Sequence, residues 1–516
     1  MTDESIVRLG AIGRVLLSAL AVYPVVMIVL AAAQGPGISI DSVSYAAAAT
    51  SWAESGQLLS YDGRELSIFP AGLPVVTGSL MALGLGLSSA VTWANGAATL
   101  LTVLGAYFLG REVLRSPRWA LLGAAFVALT VSTVRVGSYF WTEPVFTALL
   151  LWALVITARA LRAGTTTWWM ALGVGLLVSA ASTYRFVGIV AVPVLALGVV
   201  WAARRHRLAK GLLVLAAGSI GFALSAVRNL VLGAPALGER YPGSIDAQGA
   251  VVGLVKLWGE YIAPSSATSL TVVFGGVVLV LLVAGGWLTL VKMDSAGILV
   301  TLFVAVYWAA ILVSQVGTRL DVATERFGAP VLAPAVVLVL VAIRRLLATV
   351  SQQVGQGINR NPSEVRPWIS AVAGVVLIGI VSLSVFHTVR FVSEGSERGL
   401  GLASQDSMDR NIARVAADLP PDIVIASNDP WQVWWARGSG VVLDYPPSLD
   451  EWPGERIEAD TDRLTNAIDR NGSVTVLLDE GSRASLPIDD LVSRGVSAQQ
   501  RESELGVAVW ELTVSD

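Results

Sequence analysis

Four side chains carry most of the chemistry legible in this 516-residue sequence: Asp41, Glu143, Arg185 and Arg326. Asp41 stands in Ile38-Ser39-Ile40-Asp41-Ser42-Val43-Ser44-Tyr45, just after the first long apolar run. An acid so placed, among small and aromatic neighbours, can serve as a general base or a cation ligand. Glu143 stands in Tyr139-Phe140-Trp141-Thr142-Glu143-Pro144. Pro144 suits a first helical turn and would put Glu143 at the helix mouth. Arg185, in Ser182-Thr183-Tyr184-Arg185-Phe186, has no acidic neighbour in sequence, whereas Arg326 follows Glu325 in Ala323-Thr324-Glu325-Arg326-Phe327-Gly328-Ala329-Pro330. Guanidinium groups bind phosphate through planar, paired hydrogen bonds. Each residue also has a plainer reading: a solvated interfacial acid, an arginine snorkelling to head groups, or a Glu325–Arg326 contact. Arg135, Arg228 and Arg240 fit the plainer reading best.

The elements that must position these groups are apolar. Hydrophobic residues make up 54% of the chain and charged residues 14%, against about 25% charged in soluble domains. Mean hydropathy is +0.67, and long apolar stretches recur to about residue 390, which makes this a polytopic α-helical membrane protein. A net charge of −3 argues against a nucleic-acid surface. The absence of Cys excludes disulfides and thiolate metal sites, and two separated histidines, His206 and His387, exclude a multi-His site. No glycine cluster is followed by Lys-Ser/Thr, so there is no phosphate-cradling P-loop.

Eleven spans are expected, near 15–33, 89–110, 119–136, 143–160, 167–184, 187–203, 211–230, 268–291, 295–314, 328–346 and 368–388. The first resembles a signal peptide, with Ala31-Ala32-Ala33 after it, but is long enough to stay as a helix. The piece 70–87 opens with Pro70-Ala71-Gly72-Leu73-Pro74 and reads as a juxtamembrane helix. That choice, with the N-terminus cytoplasmic, puts 16 Lys and Arg inside, largely in clusters, and 8 outside. The inner set includes Arg8 and Arg360; the outer set includes Arg319. Outward segments are then 34–69, read as a polar loop, the turn at 137–143, and the loops 231–267 and 315–327. Residues 347–367 read as a polar cytoplasmic linker.

Residues 390–516 differ in composition and form a separate region from 1–389. Short apolar runs at 423–426, 441–443, 474–478 and 507–512 alternate with helix-like pieces near 406–418 and 460–470, as in a small extracytoplasmic α/β domain. Trp52, Tyr61, Trp93, Tyr139, Trp141 and Trp258 fit interfacial aromatic belts. Stacking on a sugar ring is the alternative for Tyr45 and Trp141.

Taken in order, these motifs resemble the GT-C superfamily of membrane glycosyltransferases, such as protein O-mannosyltransferases, the aminoarabinose transferase of lipid A and arabinosyltransferases. The resemblance rests on Asp41 in the first outer loop, the Pro-containing helix after it, Glu143 opening the fourth span, and Arg326-Phe327-Gly328-Ala329-Pro330. Many relatives carry an acidic pair where this chain has Asp41-Ser42. The resemblance implies transfer of a sugar from a polyprenyl-phosphate donor to a glycan, lipid or protein acceptor on the outer face, with no nucleic acid involved. Asp41 would be the base, Arg185 and Arg326 would hold the donor phosphate, and Glu143 would orient the acceptor or ligate a divalent cation. Glu325 would join Tyr45 and Trp141 at the substrate. A transporter or flippase of a lipid-linked sugar is the rival reading, and would place charge near mid-span. The spans here are almost free of it.

Overall fold

Apolar runs in hydrocarbon fold as helices because only internal hydrogen bonds can satisfy their backbone. In the computed structural model of the chain, which describes residues 9–240, 242–243, 245–263, 268–318, 323–357, 362–420, 422–448, 454–479, 482, 485–501 and 507–514, most of the length is helical. Arg8, Arg319 and Arg360 of the charge asymmetry lie outside the described residues. Among the described residues, eight helices are long and apolar enough to cross a membrane: Ala11–Ala31, Leu87–Leu114, Glu143–Ala163, Arg207–Val231, Ser269–Val291, Ser295–Gly317, Glu325–Val354 and Gly374–Arg398. A ninth results if Pro117–Leu129 and Val131–Ser138, bent by 51°, are one span.

The expectation of eleven differs at 167–184 and 187–203. The first is the 15-residue helix Trp168–Ser182, about 22 Å long at 1.5 Å per residue and short of a ~30 Å core. The second, Phe186–Ala202, begins as a 3-10 turn over Phe186–Val190. Residues 70–87 hold the helix Gly72–Ala82, whose 11 residues are too few to span. The supposed linker 347–367 is helical as far as Gly357, at the end of Glu325–Gly357, and again from Pro362.

The chain divides into two compact units. One comprises Met1–Ala31, Ser67–Gly72 and Thr92–Ser393; the other comprises Ala32–Leu66, Leu73–Val91 and Glu394–Asp516. In the first unit, membrane helices close on small residues, which let backbones approach where no hydrophobic force drives association. Gly221 shows this: a Cβ there would stand 2.0 Å from Ser179 O, and its N–H donates to Ser179 Oγ at 2.8 Å.

The second unit is built on a sheet of β1 (Ile425–Ser427), β2 (Val442–Asp444), β3 (Ser473–Asp479), β4 (Val496–Arg501) and β5 (Val507–Val514), in the order β2-β1-β3-β5-β4. β1 runs parallel to both β2 and β3; β5 is antiparallel to β3 and β4. The helix Gly454–Asn471 buries Ile457, Leu464 and Ile468, one helical stripe, against Val474, Val476 and Leu512.

The polar loop expected at 34–69 is in large part the helix Ile40–Ser55. The run Tyr45-Ala46-Ala47-Ala48-Ala49 has high helix propensity, and its burial stabilises the helix further. Tyr61 O accepts from Val442 N–H at 3.0 Å, and the Tyr61 hydroxyl donates to Asp444 Oδ2 at 3.0 Å. Residues 57–66 thereby cover the β2 edge. Tyr61 is a core residue of this unit rather than part of an aromatic belt, and burial, reinforced by Asp444, pushes its hydroxyl well above the usual phenol range.

Candidate active site

Glu143 begins its helix with Pro144 in the first turn, and its side chain is fully buried. A carboxylate taken wholly from water must be paired. Arg185 Nη1 and Arg326 Nε both donate to Glu143 Oε1, the latter at 2.9 Å, while Thr142 Oγ1 donates to Oε2 at 3.2 Å. The partner that Arg185 lacks in its own segment is thus 42 residues away in sequence. Aromatic rings fix the guanidinium planes: Arg326 lies over Trp141 at 4.6 Å and Arg185 over Phe327 at 5.4 Å. Trp141 also stacks on Tyr139 at 4.4 Å. Asn95 Nδ2 holds that turn, donating to Gly137 O at 3.1 Å and Tyr139 O at 2.7 Å.

Glu325 does not pair with Arg326. It takes Arg135 as its ionic partner, and its carbonyl accepts from the Tyr261 hydroxyl at 3.4 Å. Arg135 in turn lies over Phe391 at 5.4 Å. This second pair was missed in the sequence, since Arg135 reads there as a lone outer-loop cation. Glu325 Oε2 and Thr147 Oγ1, both without a hydrogen-bond partner among the described residues, line a small cavity of about 30 Å³, room for one or two waters. Trp258, expected in an aromatic belt, is buried against Tyr261 and Trp308.

Asp41 belongs to the second unit and lies in the first turn of Ile40–Ser55. Ser39 N–H donates to Ser42 Oγ at 3.0 Å and the two hydroxyls lie 3.0 Å apart, so this turn is fastened from both ends. Tyr45, one turn on, is 3% exposed. Its ring packs inside protein in this structure, a setting that does not favour stacking on a sugar.

The structure of ArnT from Cupriavidus metallidurans bound to undecaprenyl phosphate superposes with a TM-score of 0.61 at 14% identity, covering 97% of this chain and 98% of that one. The archaeal oligosaccharyltransferase AglB from Archaeoglobus fulgidus, in complex with an inhibitory peptide and a dolichol-phosphate, gives 0.55 at 11% identity, covering 91% and 70%. The chain has the GT-C fold. Arabinofuranosyltransferase AftD from Mycobacteria also matches, with a TM-score of 0.51 at 14% identity over 97% of this chain and 42% of that one. No curated protein sequence matches significantly. The family model for dolichyl-phosphate-mannose-protein mannosyltransferase matches residues 73–228, a stretch that includes Glu143 and Arg185 but neither Asp41 nor Arg326. The likeness to the GT-C superfamily read from short motifs therefore holds at the level of fold, in a multi-pass membrane protein.

Proposed function

We propose that this chain is a membrane glycosyltransferase that moves a sugar from a polyprenyl-phosphate donor to an acceptor at the outer face of the cell membrane. Its N-terminus would be cytoplasmic and residues 390–516 an extracytoplasmic α/β domain. The observation that carries the reading is the pair Arg185 and Arg326 converging on one buried carboxylate oxygen. Preorganised guanidinium groups stabilise charge that develops on a departing phosphate without having to reorganise. The solved ArnT and AglB structures, which hold polyprenyl phosphates, support this donor class.

In the proposed reaction Asp41 accepts the proton of the acceptor hydroxyl. The acceptor oxygen forms a bond to the anomeric carbon, and the bond from that carbon to the phosphate oxygen breaks. Polyprenyl phosphate leaves with the electron pair, met by Arg185 and Arg326. Glu143 is a positioning residue here: both arginines occupy one of its oxygens, which supports that role over base or cation ligand. Trp141, under Arg326, fixes that guanidinium. The divalent cation allowed by the resemblance finds no group of three or more His, Asp or Glu among the described residues.

The test compares wild type with Asp41→Asn and Arg326→Gln, each supplied with radiolabelled polyprenyl-phosphate sugars and candidate acceptors. Wild type should release polyprenyl phosphate as label moves to acceptor. Asp41→Asn should bind donor normally and lose about 10²–10⁴-fold in turnover, while Arg326→Gln should weaken donor binding. Undiminished turnover in Asp41→Asn would remove it as base. Movement of intact donor across a bilayer without release would instead support a flippase.

A further inference from the structure

In the second unit, β1 lies between β2 and β3, and all three are parallel. The chain passes from β1 to β2 on one side and then to β3 on the other. At such a reversal the connections leave the carboxyl ends of neighbouring strands in opposite directions and open a crevice, the place where open α/β sheets take ligands. Here that place is the gap between the ends of β1 and β3.

It is occupied by polar side chains with an ordered arrangement. Asn428, following β1, donates from Nδ2 to Asp479 O at 2.9 Å and accepts Asp479 N–H at 3.0 Å, tying the two strand ends together. Arg410 reaches over both strands, donating to Asp429 Oδ2 at 2.7 Å, Asp479 Oδ2 at 2.5 Å and Ser482 Oγ at 2.8 Å. Asp429 also caps the helix Pro430–Arg437, which places Trp431 in its first turn at the same rim. Above these groups opens a cleft of about 800 Å³, within the usual range for small-ligand sites.

The charge of the lining narrows the ligand. Among the described residues that line the cleft, Asp406, Asp409, Asp429 and Asp479 outnumber the one cation, Arg410, a balance that disfavours phosphate and other anions. Carboxylate, amide and hydroxyl groups beside an indole match a neutral ligand rich in hydroxyls, whose C–H faces pack on aromatic rings and whose O–H groups donate and accept. Ile40, the residue before Asp41, lines the same cleft.

We propose that this crevice is a saccharide-binding subsite that seats the hydroxyl-rich acceptor beside Asp41. The inference rests on the transferase reading for the word acceptor, but saccharide binding itself does not depend on turnover.

The experiment uses the full chain in lipid nanodiscs without donor, titrated with a panel of neutral oligosaccharides and followed by tryptophan fluorescence and saturation-transfer NMR. At least one should bind wild type, and Trp431→Ala should weaken it about tenfold. Asp409→Arg, a change at an exposed position that cannot upset the core, should block it by bulk while leaving polyprenyl-phosphate binding unchanged. In turnover, both variants should raise acceptor KM and leave donor KM alone. No binding by any saccharide at millimolar concentration, or equal binding by wild type and Asp409→Arg, overturns the subsite. Saccharide binding without any transfer would sink the transferase reading and keep the crevice; transfer with an unmoved acceptor KM would do the reverse.

Discussion

The two units solve the same electrostatic problem with the signs exchanged. In the first, one carboxylate, Glu143, receives two arginines; in the second, one arginine, Arg410, joins two aspartates. The difference lies in water. The Glu143 side chain has no exposure at all, while that of Arg410 is 35% exposed. A buried ion depends wholly on its partners, because their loss leaves a charge that nothing solvates. A partly exposed ion can exchange a partner for water, so its contacts are individually weak and rearrange easily. A site that must present fixed positive charge suits the first arrangement, and a rim that must adapt to a polar ligand suits the second.

The comparison breaks most sharply at Glu143. Glu143→Gln keeps the shape and removes the charge that two guanidiniums require, and breaking a buried pair of this kind costs about 3–5 kcal/mol. Thermal unfolding in detergent should show that loss, with donor binding falling alongside. The loss should be nearly the same at low and high salt, since buried pairs are poorly screened. A Glu143→Gln protein of normal stability that binds donor normally would remove the carboxylate from the positioning role.

A smaller effect is expected at Arg410. Arg410→Met leaves Asp429 and Asp479 facing each other, but solvent reaches both, so a loss of about 1–2 kcal/mol is expected. It should shrink as salt rises, and Asp429→Asn added to Arg410→Met should restore part of it by removing the repulsion. A loss as large and as salt-insensitive as that of Glu143→Gln would erase the contrast between the two units.

How much of this was legible in the sequence follows from which interactions are local. Helices announce themselves through long apolar runs, and β1, β2, β3 and β5 through short ones. β4 was missed because Val496-Ser497-Ala498-Gln499-Gln500-Arg501 is an edge strand with a largely exposed, polar surface and no alternation to detect. The helix Pro430–Arg437 was likewise missed, although Asp429 before Pro430 is a regular cap-and-proline start. The candidate residues could be picked out by type and setting, yet their partners could not. Arg185 and Glu143 are 42 residues apart, Arg326 and Glu143 are 183, and Arg135 and Glu325 are 190. Nothing in a single sequence specifies pairings over such distances, and the adjacent Glu325–Arg326 was therefore a misleading suggestion. The first loop misled for a related reason: its polarity hid a helix whose stability comes from burying alanine against distant residues.

The finest test of the contrast is a single buried hydrogen bond in the second unit, where water is excluded as it is around Glu143. Tyr61 and Asp444 are 8% and 7% exposed, and the hydroxyl donates to the carboxylate at 3.0 Å. Tyr61→Phe should cost about 1 kcal/mol, read locally as faster hydrogen exchange at Val442 N–H, which bonds the Tyr61 carbonyl. The pH dependence has a definite sign. Because burial, with Asp444, raises the folded-state pKa above the unfolded value, the bond contributes fully below about pH 10, the ordinary phenol value. It is lost only as pH rises through the higher folded value. The difference between wild type and Tyr61→Phe should therefore stay constant from neutral pH to about pH 9 and narrow only in strong alkali. A difference that stayed constant even in strong alkali would mean that the folded and unfolded pKa values agree, that water reaches this bond, and that it is no dry counterpart of the contact holding Arg185 and Arg326.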